Sequence, residues 1–306
     1  MNTARSSQRR ELTGGTLVAA SAILFGVVVV FGKLAMQEGL PVFSTLAFRY
    51  GASALCLLPV LAFARRPFLP AKGERLVVFA LGAVGYAVES SFFFGALQHG
   101  TAAAVTLLFY VYPVIILVAT ILLGRGKPGR TLVISLAFAV AGACLVIVSG
   151  GGIEIEAIGV AFAFGSALTF SGYVLGAEFA LRRTDPFTAS LWVCIGATVG
   201  CATFAVVSGN AAVPASSQAW VYVVGMGVAS AAAFICMLSG LRIVGAVRTS
   251  IISSLEPLAA AVMAYVLIDE TVGAGTFLGG ILILAGAIGA SIARPPTPEP
   301  SMEPLP

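Results

Sequence analysis

Glu89 and Glu256 stand in the middle of long apolar stretches, and two cations, Lys33 and Arg49, also lie inside such stretches. A carboxylate in hydrocarbon loses its hydration, so a chain that keeps one there uses it to hold a helix, a solute or a proton. At i, i+3, i+4 spacing, Gly82, Gly85, Tyr86, Glu89 and Phe93 fall on one helical face. Small residues there admit a neighbour or a ligand, and Tyr86 and Glu89 offer polar contacts. A cavity face and an interhelical polar clamp both fit this pattern, and the cavity face is carried forward.

Glu256 comes directly before Pro257. Proline has no N–H, so it frees a carbonyl one turn earlier. Ser250, Ser253 and Ser254 occupy that turn and can satisfy freed backbone groups. A structural kink and a functional carboxylate are equally compatible with this arrangement. Pro113 occupies a similar place in an earlier stretch, with Tyr110 and Tyr112 beside it. Tyrosines at mid-membrane depth suit a hydrogen-bonding aromatic pocket for an amphipathic solute. Ser230 completes the set of cavity candidates: Tyr86, Glu89, Phe93, Tyr110, Tyr112, Ser230, Ser253 and Glu256, with Pro113 and Pro257 as helix bends.

Arg49 and Lys33 are expected to be structural, snorkelling outward or pairing with an acid. Pairing with a substrate carboxylate is the alternative for Arg49. His99, the single histidine, falls at a helix end and reads as interfacial rather than as a proton carrier. The five cysteines sit in apolar runs with no CxxC pair, as small packing residues do. No Walker A, HExxH or GxSxG pattern and no Cys/His metal cluster occurs. No catalytic residue, metal or cofactor is therefore expected.

These residues need elements that can hold them in lipid. Of the 306 residues, 59% are AVILMFWYC and 10% are charged, against roughly a quarter charged in soluble domains. Mean hydropathy is +1.03. A water-soluble surface cannot be made from so little polarity. The charges form short clusters rather than a basic face, which argues against nucleic acid. A bilayer core takes about 20 apolar residues per helix. Ten stretches qualify: 13–36, 41–64, 74–98, 101–123, 131–149, 157–181, 187–208, 217–241, 245–268 and 272–293. The first is longer than the ~7–15 residues of a signal-peptide core and is expected to stay as a span. The proline-rich tail, 294–306, is expected to be extended and disordered.

All basic residues except Lys33 and Arg49 fall at the N-terminus, at the 2–3, 4–5, 6–7 and 8–9 connections, or after the tenth stretch. The alternate connections carry Glu38, Glu154, Glu156, Asp269 and Glu270 instead. Positive charge stays cytoplasmic, so both termini are expected on the cytoplasmic side of an inner (plasma) membrane.

A shift of 144 residues lays the chain on itself. Leu97 falls on Leu241, Ala102 on Ala246, Pro113 on Pro257, and Ala141-Gly142-Ala143 on Ala285-Gly286-Ala287. Gly15 falls on Gly159, and Pro41 on Pro186 after one inserted residue. Each half holds five helices, an odd number, so the second half enters the membrane from the opposite side. Inverted repeats of this kind recur in secondary transporters, where exchange of conformation between halves exchanges access.

The string from Pro113 to Gly124, and its twin from Glu256 to Glu270, resemble the EamA repeat of the drug/metabolite transporter superfamily. In that repeat the fourth helix carries a central proline and a glutamate follows its end. The second half matches with Glu270, whereas the first has Gly124-Arg125-Gly126 there. The resemblance spans about 13–293 and is greatest to the ten-helix amino-acid and metabolite exporters, including the aromatic amino-acid exporters of the YddG type. It implies a basket in which helices 1, 3, 4, 6, 8 and 9 line a central cavity, with 5 and 10 peripheral.

The expected molecule is an all-α integral membrane protein of ten transmembrane helices. It has a cytoplasmic segment 1–12, a first repeat 13–149 and an inverted second repeat 157–293 around a central cavity. It is expected to export amino acids or similar small metabolites by alternating access, as a monomer in the bilayer, with protons as a candidate co-substrate. Another metabolite (a nucleotide sugar, a polyamine or a drug) is the alternative, ahead of a channel or a membrane enzyme.

Overall fold

The computed structural model describes residues 2–100, 102–124, 128–149, 154–268 and 273–293. The tail 294–306 and Glu270 fall outside them. The elements in chain order are α1 (Asn2–Gln37), α2 (Val42–Phe63), α3 (Arg75–Ala80), a π-helical segment (Leu81–Tyr86), α4 (Ala87–Leu97), α5 (Ala102–Phe109), α6 (Tyr112–Leu122), α7 (Arg130–Ser149), α8 (Ala157–Ala180), α9 (Pro186–Val207), α10 (Ser217–Ser253), α11 (Leu255–Ile268) and α12 (Ala274–Ile292). Nine helices among the described residues are long and apolar enough to span a membrane.

The count becomes ten because α10 contains two passes. Gly245 has φ 81 and ψ 169, which no helix contains. Before it, α10 runs antiparallel to α1: Gly14 lies against Ile243 and Val244, and Gly32 against Met226. After it, the direction reverses, with Gly15 against Ile252 and Gly26 against Ala259 and Ala260. Glycine alone adopts this conformation without strain, and the Glu178 carboxylate accepts the Ala246 N–H at 3.1 Å just past the turn. The chain is an all-helical, ten-pass membrane protein.

Three elements depart from unbroken spans. The third pass is α3, the π-helical segment and α4; the wider π turn changes which residues share a face. Gly82 consequently lies against Val193 and Ala197 of α9, away from Glu89. The single five-residue face expected from regular α spacing is therefore split. The fourth pass breaks between α5 and α6 just ahead of Pro113, and the ninth at Ser254 just ahead of Pro257. Missing proline N–H groups explain both breaks. In addition, α1 begins at Asn2, so the segment before residue 13 continues the first helix toward the basic face.

The two halves are related by a two-fold operation readable from single contacts. A Cβ added to Gly142 would lie 2.6 Å from Gly279 O, and one added to Gly286 would lie 2.6 Å from Ser135 O. Each contact becomes the other when 144 is added to one partner and subtracted from the other. The pair α7 and α12 is therefore antiparallel, with its axis across the helices, which is the geometry of an inverted repeat. Likewise Gly82 meets Ala197 while Gly227 meets Ala52, both related by 145. The Gly196 and Gly200 pair packs within the chain, against Phe79 and Ala83 of the third pass.

Candidate functional site

Glu89, in the first turn of α4, is 9% exposed. Its Oε2 accepts from the Ser90 hydroxyl at 3.1 Å, and its Oε1 accepts from Ser166 of α8 at 3.1 Å. The second bond crosses between repeats. The carboxylate thus joins two helices, as the clamp reading expects, and it lies beside a cluster of aromatic rings.

Tyr86, one turn earlier, is the hub of that cluster. Its ring lies 4.6 Å from Tyr173, 5.3 Å from Phe234 and 5.7 Å from Tyr50, all edge-to-face. Edge-to-face pairs contribute about 0.5–1.5 kcal/mol each beyond burial. Phe170 extends the cluster to Tyr112, 4.9 Å away, and to Phe109, 5.4 Å away. Phe109 continues to Phe93 at 5.5 Å and Tyr110 at 5.8 Å. The Tyr173 hydroxyl lies close to Tyr86 but is buried without a well-formed hydrogen bond among the described residues.

Arg49 enters this cluster from α2. Its Nε–H donates to Ser230 of α10 at 2.7 Å. The guanidinium lies 4.8 Å from the Tyr50 ring centre and 5.8 Å from that of Phe25. No ion pair to Arg49 forms among the described residues, although Glu89 and Glu256 are both within electrostatic reach. The expectation that Arg49 snorkels outward or pairs with an acid gives way to an inward-facing arginine. Rings on two sides let the flat guanidinium shed water, and the Ser230 hydroxyl directs it.

The ninth pass closes the set. Tyr112 donates its hydroxyl to Ser250 O at 3.4 Å, with Ser253 also in reach. Glu256, half-buried, acts electrostatically on Tyr110 and Tyr112. Tyr112 and Glu256 are related by 144 residues, so both halves place a polar side chain directly before the proline. Pro113 and Pro257 sit in the first turns of α6 and α11.

All eight candidate residues therefore gather along one connected region, with Phe93 at its edge, packed also on Ala96, Val105 and Ala163. Lys33 is exposed. Arg49, Tyr50, Ser166, Phe170, Tyr173 and Phe234 belong to the region but were not among the candidates. The repeat offset carried one signal: Phe234 is Glu89 shifted by 145. The second pass, absent from the family-based expectation, supplies Arg49 and Tyr50. A cavity of about 860 Å³ lies elsewhere, between α2, α9 and α10, lined by Phe48, Leu55, Thr198, Val206 and Trp220 among others. No three His, Cys, Asp or Glu side chains gather as a metal-binding set among the described residues.

The comparisons with known proteins agree with this architecture. A solved crystal structure aligns with a TM-score of 0.72, at 18% identity, over 89% of this chain and 96% of its own. An uncharacterized transporter of Archaeoglobus fulgidus is 24% identical over 277 residues, which is 90% of this chain and 95% of that protein. The model of the EamA-like transporter family matches twice, over residues 12–148 and 157–292. Ten passes, two copies of one five-helix unit and that double match make the chain a member of the EamA-like transporter family.

Proposed function

We propose that this transporter exports amino acids, aromatic ones included, or similar small zwitterionic metabolites across the inner membrane by alternating access. The observation that carries this reading is the presence of two unlike charges beside one aromatic cluster at the repeat junction. Arg49 is hydrogen-bonded to Ser230, and Glu89 to Ser166. They form no ion pair with each other, so each remains available to a solute of opposite charge. Arginine suits a carboxylate, and a carboxylate suits an ammonium group. The intervening tyrosine and phenylalanine rings suit an apolar or aromatic body, and the unbonded Tyr173 hydroxyl offers a further polar contact. The basic face is assigned to the cytoplasm by its arginines.

The test is uptake by purified protein in liposomes, across labelled amino acids, their decarboxylated amines and their deaminated acids, with and without a pH gradient. Saturable flux of zwitterions above amines and acids is expected. Flux of the amines or of the acids without flux of the zwitterions would overturn the solute class.

A further inference from the structure

The cavity of about 860 Å³ between α2, α9 and α10 lies at the acidic-face ends of these helices. Its floor is buried: Ala205 is 4% exposed and Val223 1%. Its rim is bare hydrocarbon, with Leu55 and Val206 each 69% exposed, so it is a groove in the lipid-facing surface. No charged side chain lines it among the described residues. Its two hydroxyls are engaged within the protein. Ser44 donates to Asn210 O at 3.2 Å and accepts from the Ala212 N–H at 3.0 Å, and Thr198 donates to Cys194 O at 2.7 Å. The groove therefore offers an occupant apolar contact and little else.

The repeat shows that the fold alone does not impose this groove. Shifted by 144, Phe48 becomes Trp192 and Ala212 becomes Phe68. On the basic face these two larger residues are joined, the Trp192 indole N–H donating to Phe68 O at 2.8 Å. On the acidic face, small residues in the 7–8 connection and on the helices, Ala212, Gly51 and Ala202 among them, leave the space open. The depth of the groove has a measure. Along α2 its lining runs from Ser44 to Leu55, which is about 17 Å at a rise of ~1.5 Å per residue. A bilayer core is ~30 Å thick, so the groove has the depth of one leaflet. Trp220, in the first turn of α10, stands at its acidic-face end with its ring 5.5 Å from that of Phe48. Such amphipathic rings belong at the boundary between acyl chains and head groups.

We infer that this groove is a binding site for a phospholipid of the acidic-face leaflet, held by an acyl chain and not by its head group. The inference rests on the membrane-spanning fold and not on the identity of the solute. A second copy of this chain fits poorly, because a two-fold dimer sets the same surface against itself and would place a hollow on a hollow. Behind the floor, Ser53 of α2 donates to Gly227 O of α10 at 2.9 Å, and one turn earlier Arg49 donates to Ser230. A seated chain thus packs against the outside of the wall that carries Arg49.

The chain has two tryptophans, Trp192 and Trp220, which gives the groove its own reporter. The Trp192→Phe protein, purified in detergent, is titrated with phosphatidylcholine brominated on the upper part of its acyl chains, and Trp220 fluorescence is read. Quenching that saturates near a single lipid per protein is expected. The Trp220→Phe protein, which reports from Trp192, should show only gradual quenching without saturation. Ala202→Phe fills the groove from α9 and should abolish the saturable part. Gly51→Leu fills it from α2, where a Cβ would meet Thr198 at 3.6 Å, an ordinary contact; it should do the same and serves if Ala202→Phe does not fold. Brominated phosphatidylglycerol should give the same curve as phosphatidylcholine. Parallel, unsaturated quenching of both tryptophans would mean that lipid only surrounds the protein, and would overturn the inference. Saturable quenching that survives both filling substitutions would overturn it too, as would saturation confined to one head group. Shielding of Trp220 at every lipid ratio in a protein of doubled mass would assign the groove to a second copy instead.

Discussion

Glu89 and Ser166, 77 residues apart, meet across the repeat boundary at 3.1 Å. The bond makes one carboxylate a part of both halves, so any motion of α4 against α8 must lengthen or break it. Glu89→Gln keeps the shape of the side chain but removes titration. Its transport rate or pH profile is expected to change while expression stays near normal. Glu256→Gln is expected to do less, because its surroundings on α10 and α11 are serines that support a bend. Liposome flux across a range of pH decides the ranking, and a wild-type rate and profile for Glu89→Gln would leave the residue a clamp only.

Ser230 is fully buried and directs Arg49. A hydrogen bond to a charged group contributes about 1.5–3 kcal/mol, so Ser230→Ala should lower apparent affinity for a carboxylate-bearing solute by about tenfold or more. Flux of the matching decarboxylated amine should change little. Equal loss for both solutes would show that Ser230 supports packing rather than recognition.

Gly142 and Gly286 carry equivalent loads in the α7–α12 contact. A side chain at either would push two backbones apart, and overpacking costs about 1–3 kcal/mol. Gly142→Val and Gly286→Val are expected to lower the thermal midpoint in detergent by similar amounts. A large effect from one and none from the other would contradict the two-fold relation.

Topology is open to labelling in liposomes with a membrane-impermeant maleimide. Arg182→Cys, in the 6–7 connection, is expected to react only from the cytoplasmic side, and Asn210→Cys, in the 7–8 connection, only from the other. Reaction of both from one side would remove the ten-pass assignment.

The sequence by itself determined the class, the spans and the repeat. Hydrocarbon leaves a backbone no partner but itself, so apolar length alone predicts helices. The 144-residue offset survives because equivalent helices meet equivalent neighbours, as Gly142 and Gly286 do. Glu89, Glu256 and Tyr86 announced themselves because polarity in lipid is rare. The tertiary structure decided what these residues meet. Ser166, Phe170, Tyr173 and Phe234 are ordinary residues for membrane helices, and nothing in their own neighbourhoods in the chain marks them. Arg49 read equally well as an outward snorkel, since the direction of a long side chain depends on which helix stands beside it. The π-helical segment at Leu81–Tyr86 packs against Gly196 and Gly200 of α9, a partner more than a hundred residues away. Local propensity cannot foresee such a partner, and the resulting shift of register separates Gly82 from the face of Glu89.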